Sequence, residues 1–119
     1  MCEALDGDVP LLIYPEGTNS DGSGLLPFKT TCFDAAVKTG CSVRPVVTCY
    51  LPSADGTRLQ WCDHTKMMVH FWRVLGLKGF SCRVYIMPEV RSDGRGRKEF
   101  AEHLHRMMSE CFDKLNGAA

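Results

Sequence analysis

A lone carboxylate, Glu16, follows a short apolar run, Leu11 to Tyr14, and precedes a loop rich in glycine and hydroxyl groups, residues 17–24. In open α/β sheets, ligands bind outside the carboxyl ends of the strands. A carboxylate in that position accepts hydrogen bonds from a hydroxylated substrate or orients a catalytic base. A purely structural role, in which Glu16 caps its own turn, fits the same spacing, so the residues alone leave both interpretations open.

The same loop has part of the spacing of a phosphate-binding P-loop. Gly17 and Gly22 are separated as the first two glycines of that motif are, but Ser23 stands where its lysine should follow. No ammonium group therefore reaches a β- or γ-phosphate, and the dinucleotide fingerprint G-x-G-x-x-G is absent as well. The loop thus argues against a nucleotide site.

Metal-ligand residue types occur in the second half of the chain, but their spacing matches no zinc site. Two histidines on the last predicted helix, His103 and His105, point to nearly opposite sides, because two residues turn a helix by about 200°. We therefore predict no metal site from these residues or from the remaining candidates, Cys62, Asp63, His64 and His70.

A small hydrolase is an alternative that the residue types permit. It would use Asp63 and His64 with a serine nucleophile such as Ser20 or Ser23. No G-x-S-x-G elbow is present to position that nucleophile, so the pattern gives this alternative little support.

Composition limits the partners and the compartment. The 119 residues suffice for one domain, and 14 basic and 14 acidic residues cancel, so overall charge does not favour nucleic acid. The seven cysteines are odd in number and include no C-x-x-C pair, which favours reduced thiols in a cytosol-facing compartment. No secretory signal pattern opens the sequence, and no window reaches the roughly 18 apolar residues of a membrane span.

The order of elements predicts an α/β fold. Three apolar runs, Leu11 to Tyr14, Ser42 to Leu51 and Cys82 to Met87, alternate with helical patterns. Strands joined by helices imply right-handed crossovers, so we expect a partial, mostly parallel sheet with flanking helices. Three strands that are apolar on both faces need more neighbours than this chain supplies, which suggests a fragment.

Three helices are predicted between and after these runs. The first is capped by Thr30 or Thr31 and ends at Gly40, the second covers residues 66–75, and the third is a long amphipathic helix with apolar positions from Phe100 to Leu115. In the second helix the apolar stripe has two interpretations, core packing, which we favour, or contact with an anionic membrane surface. The stripe consists of Met68, Phe71, Trp72 and Leu75, flanked by Lys66, Arg73 and Lys78.

The segment Tyr14-Pro15-Glu16-Gly17-Thr18-Asn19-Ser20 resembles the aromatic-Pro-Glu-Gly-Thr-x-Ser motif of the glycerolipid (lysophosphatidate-type) acyltransferases. Phe28 and Lys29, with Phe33 downstream, resemble that family's Phe-Lys-x-x-x-Phe segment, and Val43 to Val47, which includes Pro45, is similar to its Val-x-Pro-Val strand. Parts of residues 20–22, 61–63 and 70–76 resemble more narrowly the bacterial lyso-ornithine lipid acyltransferases.

The resemblance implies transfer of a fatty acyl group from an acyl-CoA or acyl carrier protein thioester to a lysolipid hydroxyl, without any further cofactor. It implies a peripheral protein on the cytoplasmic face of a membrane. It also implies an acceptor site formed by Glu16, Gly17, Thr18, Asn19 and Lys29. Pro15, Phe28 and Pro45 support that site.

Two departures from the family pattern modify this expectation. The family's base is a histidine followed after four residues by an aspartate, yet none of the four histidines here begins such a motif. We therefore expect no catalytic residue in this chain, which would be the C-terminal portion, residues 1–119, of one acyltransferase domain and inactive alone. The alternative is a non-catalytic lipid- or membrane-interaction module.

The second departure is Asn19, which occupies the position of an arginine in the phosphatidate-forming members. Asparagine cannot pair bidentately with a phosphate. Lys29 or Arg44 can supply a point charge instead, although both suit ordinary surface roles. A lyso-ornithine lipid or an uncharged glycerolipid thus becomes a candidate acceptor.

Overall fold

A computed structural model describes residues 5, 7, 9–61 and 66–117. A 3-10 turn, Thr30–Phe33, runs directly into helix α1, Asp34–Thr39. Strand β1, Val46–Tyr50, follows, and then helix α2, Met67–Leu75. Strand β2, Cys82–Ile86, leads into the long helix α3, Arg97–Gly117. Helices and strands therefore alternate, as the sequence pattern predicts.

The two strands pair antiparallel, with Val46 opposite Ile86 and Tyr50 opposite Cys82. The prediction of a mostly parallel sheet is therefore wrong. A parallel crossover requires a helix that packs on the face of the sheet while the chain returns. Helix α2 has no buried residue, so it does not make that packing and the chain between the strands reverses direction instead.

The first apolar run forms no strand. Residues Leu11 to Tyr14 are irregular chain in the structure, and Leu12 and Tyr14 are 72% and 78% exposed. The prediction of a strand covered on both faces is wrong for this chain, because β1 and β2 pair with each other and no described strand pairs with the run.

Helix α1 is confirmed, and Gly40 ends it with a left-handed φ of 68°. The predicted capping is wrong, since neither Thr30 nor Thr31 caps a helix through its side chain. The 3-10 turn begins at Thr30, which places both threonines inside the turn rather than before it. Asp34 pairs instead with Lys38, at 2.6 Å between Oδ2 and Nζ.

Helix α3 is confirmed and organises the core. Its first half packs on the segment around α1, and its second half packs on the inner face of the sheet. One buried cluster contains Phe33, Ala36, Phe100, Ala101 and Leu104, and the other contains Val47, Cys49 and Phe112. The long helix thus holds the motif-bearing half and the strand-bearing half of the chain together.

Helix α2 is confirmed in its extent, but the core interpretation of its stripe is wrong. Trp72 is 65% exposed and Met68 is 55% exposed, and the other two members of the stripe are also more than half exposed. No described element covers that side of the helix. Among the described residues, no helix combines the length and the apolarity that crossing a bilayer requires.

Candidate functional site

The motif residues form a tight turn at the start of a closed loop. The backbone N–H of Gly17 donates to the carbonyl of Tyr14 at 3.1 Å, which defines a β-turn with Pro15 and Glu16 at its centre. Proline suits the first central position because its ring fixes the φ angle there. The Pro-Glu-Gly sequence therefore sets the direction in which the Glu16 side chain leaves the backbone.

Gly17 is favoured by its backbone conformation, and the end of the Lys29 side chain lies beside it. Its φ of 66° is in the left-handed region, and a Cβ at this position would lie 2.7 Å from Cε of Lys29. The N–H of Lys29 donates to the carbonyl of Pro15 at 2.8 Å, so the two ends of the loop are joined directly. The end of the Lys29 side chain consequently lies on the side of Gly17 where a Cβ would project.

Glu16 holds the returning part of the loop. Its Oε2 accepts a hydrogen bond from the backbone N–H of Leu26 at 3.1 Å, across ten residues of chain. The side chain is half-buried, and within the described part of the chain Oε1 has no hydrogen-bond partner. One carboxylate oxygen is thus structural, and the other retains its capacity to accept a hydrogen bond.

The tip of the loop is organised by its own side chains. Asp21 Oδ1 accepts from the backbone N–H of Ser23 at 2.9 Å and from its hydroxyl at 2.6 Å. These two bonds, the hydroxyl first, lower the pKa of Asp21 below its ordinary value. A carboxylate that stays ionised at the centre of the tip repels phosphate, which agrees with the failed P-loop match.

A large apolar cleft opens beside this loop. It is partly open to solvent, has a volume of about 1510 Å³, and lies between the segment that precedes the motif, strand β1 and the inner side of α2. Three of the predicted acceptor residues, Glu16, Thr18 and Asn19, line the cleft, and the latter two are exposed. Gly17 and Lys29 do not line it.

The predicted supporting residues have structural contacts. Phe28 packs on Phe33 with ring centroids 6.1 Å apart and meets the ring of His105 edge-on at 4.9 Å. Pro45 is buried immediately before β1, and its carbonyl accepts from the N–H of Met87 at 2.9 Å. Both residues therefore tie the loop and the strand to the rest of the fold.

The charges near the cleft differ in availability. Arg44 pairs with Glu89 at 2.5 Å, and the hydroxyl of Ser42, followed by Arg44 itself, lowers the pKa of Glu89. Lys29 is exposed and takes part in no ion pair that the described residues form. Of the two cations considered from the sequence, Lys29 is the one whose charge is not already balanced.

Sequence reasoning missed the cleft wall formed by β1 and α2. Val46, Val47, Thr48 and Tyr50 of the strand line the cleft, and His70 lines it from α2. His70 Nε2 lies 2.9 Å from the carbonyl of Leu59, so this nitrogen carries the proton and donates it. The alternation of side chains along the strand was the signal available in the sequence. It separates the two faces of the strand, but it does not show which face the rest of the protein covers.

Among the described residues, no group of histidine, cysteine, aspartate or glutamate side chains is arranged to hold a metal ion. The candidates Cys62, Asp63 and His64 lie outside the described residues. The hydrolase alternative, which depends on two of them, therefore remains a hypothesis from sequence.

Comparison with known proteins places these features in a family. An acyltransferase family model matches residues 3–49, which include the motif turn, the loop and β1 as far as Cys49. A lyso-ornithine lipid O-acyltransferase from Rhodobacter capsulatus is 34% identical over 99 residues, covering 76% of this chain and 36% of the relative.

Two relatives carry the name 1-acyl-sn-glycerol-3-phosphate acyltransferase. The protein from Neisseria meningitidis is 30% identical over 86 residues, which is 71% of this chain and 33% of the relative. The protein from Escherichia coli is 50% identical over 38 residues, 32% of this chain and 16% of the relative. The chain thus spans less than half the length of these relatives.

No solved structure matches the chain significantly. The family assignment therefore depends on the sequence matches. The matched segment contains the Pro-Glu-Gly turn, the glycine beside the Lys29 side chain, and the carboxylate that closes the loop. Together, the motif and the sequence matches, which reach 34% identity over 76% of this chain, show that the chain belongs to the acyltransferase family.

Proposed function

We propose that this chain forms the acyl-acceptor side of an acyltransferase that acts on a lysolipid hydroxyl, with an acyl-CoA or acyl carrier protein thioester as donor. The observation that carries this proposal is the position of Glu16, whose free oxygen is presented by a closed loop at the mouth of an apolar cleft. A hydroxyl with an attached hydrocarbon chain matches that combination of one polar group and an apolar wall.

In the proposed step, the lysolipid hydroxyl oxygen attacks the thioester carbonyl carbon. A new ester bond forms, the carbon–sulfur bond breaks, and the thiol leaves with a proton. Glu16 Oε1 accepts the hydrogen bond of the acceptor hydroxyl and so orients it, while the Leu26 N–H holds the carboxylate in place. This orientation reduces the entropy cost of bringing the two reactants together.

The base that removes the hydroxyl proton is proposed to come from a His-x4-Asp segment preceding these residues in the whole protein. No histidine of the present sequence begins that motif. On this proposal, residues 1–119 are the C-terminal portion of the domain and transfer no acyl group when purified. An in-frame His-x4-Asp in the upstream coding DNA is expected, and its absence would favour the non-catalytic lipid-binding alternative.

For the acceptor headgroup we propose a group other than a phosphate monoester. Asn19 cannot pair bidentately with a phosphate, and Arg44 is already paired with Glu89. Lys29 forms no ion pair within the described residues, but it does not line the cleft. Relatives named lyso-ornithine lipid O-acyltransferase align over 76% and 85% of this chain, farther than those named for the glycerol phosphate acceptor. A comparison of acylation rates for a lyso-ornithine lipid and lysophosphatidate would test this preference.

We further propose that the protein works at the cytoplasmic face of a membrane, as a peripheral protein, because its acceptor is a membrane lipid. The five cysteines within the described residues are free thiols, which suits a reducing compartment.

The test of Glu16 uses binding of a short-chain lysolipid, kept below its micelle concentration, to the purified 119-residue chain. Glu16→Gln retains an oxygen that accepts the Leu26 N–H but removes the charge. Loss of a charged hydrogen bond should weaken binding by about tenfold or more. Glu99→Gln, an exposed change on α3, is the matched control and should leave binding unaltered.

Equal affinity for the Glu16→Gln and wild-type chains would contradict the proposed role. In a protein that also contains the His-x4-Asp segment, Glu16→Ala should lower the rate of lysolipid acylation without unfolding the domain. Acyl transfer by the isolated chain above a buffer control would show that the missing-base proposal is wrong.

A further inference from the structure

Helix α2 presents its apolar side outward. Its half-buried positions are His70 and Val74, which lie four residues apart and hence on one face. At 100° per residue, the opposite face is centred on Met68, Trp72 and Leu75. The side of α2 that faces solvent is therefore apolar, whereas that side of an ordinary surface helix is polar.

The charges around α2 have one sign. Residues 66–88 contain four cations and no acidic residue, although the whole chain has no net charge. Lys66, Arg73 and Lys78 are exposed and belong to none of the ion pairs that the described residues form. The fourth cation, Arg83, is directed away, since its Nη1 donates to the carbonyl of Leu115 at 2.7 Å.

We propose that α2 is the membrane-docking element of the protein and that it selects anionic lipid surfaces. Met68, Trp72 and Leu75 would enter the interfacial region, and Lys66, Arg73 and Lys78 would meet the negative headgroups around them. The inference rests on the proposed function, since it gives an acceptor that resides in a membrane a route to the cleft, which the inner side of α2 lines through His70.

Charge complementarity favours lipid over the other possible occupants. In a two-fold symmetric dimer through this face, the same patch meets itself, so the cations would oppose one another with no acid between them. The cores of protein interfaces are depleted in lysine, whereas Trp together with Lys and Arg is typical of helices that lie in a membrane interface. An anionic bilayer satisfies both the apolar stripe and its cationic border.

The test uses the full 119-residue chain carrying Trp61→Phe, so that Trp72 is the single tryptophan reporter. Vesicles of phosphatidylcholine alone are compared with vesicles that also contain phosphatidylglycerol. We expect the Trp72 emission to shift to the blue, and its quenching by acrylamide to fall, only with the anionic vesicles. Cosedimentation measures the partition coefficient.

Arg73→Gln should lower partitioning into anionic vesicles roughly fivefold, the share of one surface cation. Arg106→Gln removes the same charge from an exposed position on α3 and should leave partitioning unchanged. Met68→Ser should weaken binding further by removing apolar contact. Circular dichroism of each variant establishes that it has the wild-type fold.

Three results would overturn the proposal. They are a Trp72 emission that does not respond to anionic vesicles, an emission already blue-shifted without lipid at all concentrations, and a blue shift that follows concentration-dependent dimerisation without lipid. The second would assign the face to another part of the chain and the third to a second copy. None of these measurements contains a lysolipid, so failure here is distinguishable from failure of the Glu16 proposal.

Discussion

Helices α2 and α3 have apolar stripes of the same kind, yet the fold treats them oppositely. In α3, the residues Phe100, Ala101 and Leu104 are at most 1% exposed. In α2, no residue is buried, and Trp72 is among the most exposed large apolar side chains of the described chain. Periodicity therefore identifies which side of a helix is apolar, but it does not identify what covers that side.

The difference has a structural cause. Helix α3 contacts both the segment around α1 and the inner face of β1, so its stripe has apolar partners along most of its length. Helix α2 follows a loop that leaves the sheet and precedes a strand that pairs with β1 edge to edge. No second layer lies over α2 among the described residues, and its stripe remains available for binding.

The largest expected effect is a difference in stability between variants of the two helices. Phe100→Ala in α3 should reduce the free energy of unfolding by about 3–5 kcal/mol, because it empties a fully buried site. Trp72→Ala in α2 should change it by less than about 0.5 kcal/mol. Urea unfolding followed by circular dichroism measures both.

If Phe100→Ala does not fold, Phe100→Leu keeps most of the volume and should cost no more than about 1.5 kcal/mol. Similar losses of stability for the Phe100 and Trp72 variants would contradict the contrast between the two helices, since the stripe of α2 would then be packed against another surface.

An intermediate effect is expected at the motif turn. Hydrogen bonds and backbone geometry hold this loop, whereas a buried apolar stripe holds α3. Gly17→Ala should destabilise the chain by about 1–2 kcal/mol, because alanine resists the left-handed φ; the end of the exposed Lys29 side chain would only have to move aside. Gly24→Ala is the matched control, since no heavy atom lies within 4 Å of its added Cβ and its φ is not left-handed.

Thermal unfolding of the two glycine variants, together with lysolipid binding, distinguishes the roles. Gly17→Ala should weaken lysolipid binding along with stability because it moves the Glu16 carboxylate. A Gly17 variant as stable as the Gly24 variant would mean that the left-handed φ of Gly17 does not constrain the turn.

The smallest expected effect concerns pH and the start of α3. Asp34 pairs with Lys38 at 2.6 Å and with Arg97, the first residue of α3, at 3.8 Å. The Lys38 hydrogen bond, then the Lys38 and Arg97 charges, lower the pKa of Asp34 below its ordinary 3.8. The lowered pKa means that this stabilisation is complete above pH 3.8 and is lost as pH falls through the folded-state value.

Acid titration of unfolding measures this contribution. In Asp34→Asn, the loss of stability on acidification that arises from the Asp34 ion pairs should disappear. The free energy of unfolding near neutral pH should fall slightly. The segment from residue 66 to residue 88 has no acidic side chain, so α2 has no carboxylate of its own to titrate. An unchanged acid profile in Asp34→Asn would show that the pair is fully screened by solvent.

Much of the local structure could be read from the sequence. The end of α1 follows from Gly40, and the positions of α2, β2 and α3 follow from helical spacing and from the short apolar run after Gly79. The motif residues indicate the family by themselves, because Pro-Glu-Gly-Thr followed by Phe-Lys is a specific combination. These features are local, and local chain chemistry determines them.

Tertiary structure alone decided how these pieces meet. The strands pair antiparallel, the run at Leu11 to Tyr14 finds no strand partner within the described chain, and α2 turns its apolar face outward. Each outcome depends on which distant surface is available to cover an apolar face, and burial is non-directional, so spacing along the chain does not encode it. The hydrogen bond from Leu26 to Glu16 likewise joins positions ten residues apart and required the folded loop to be seen.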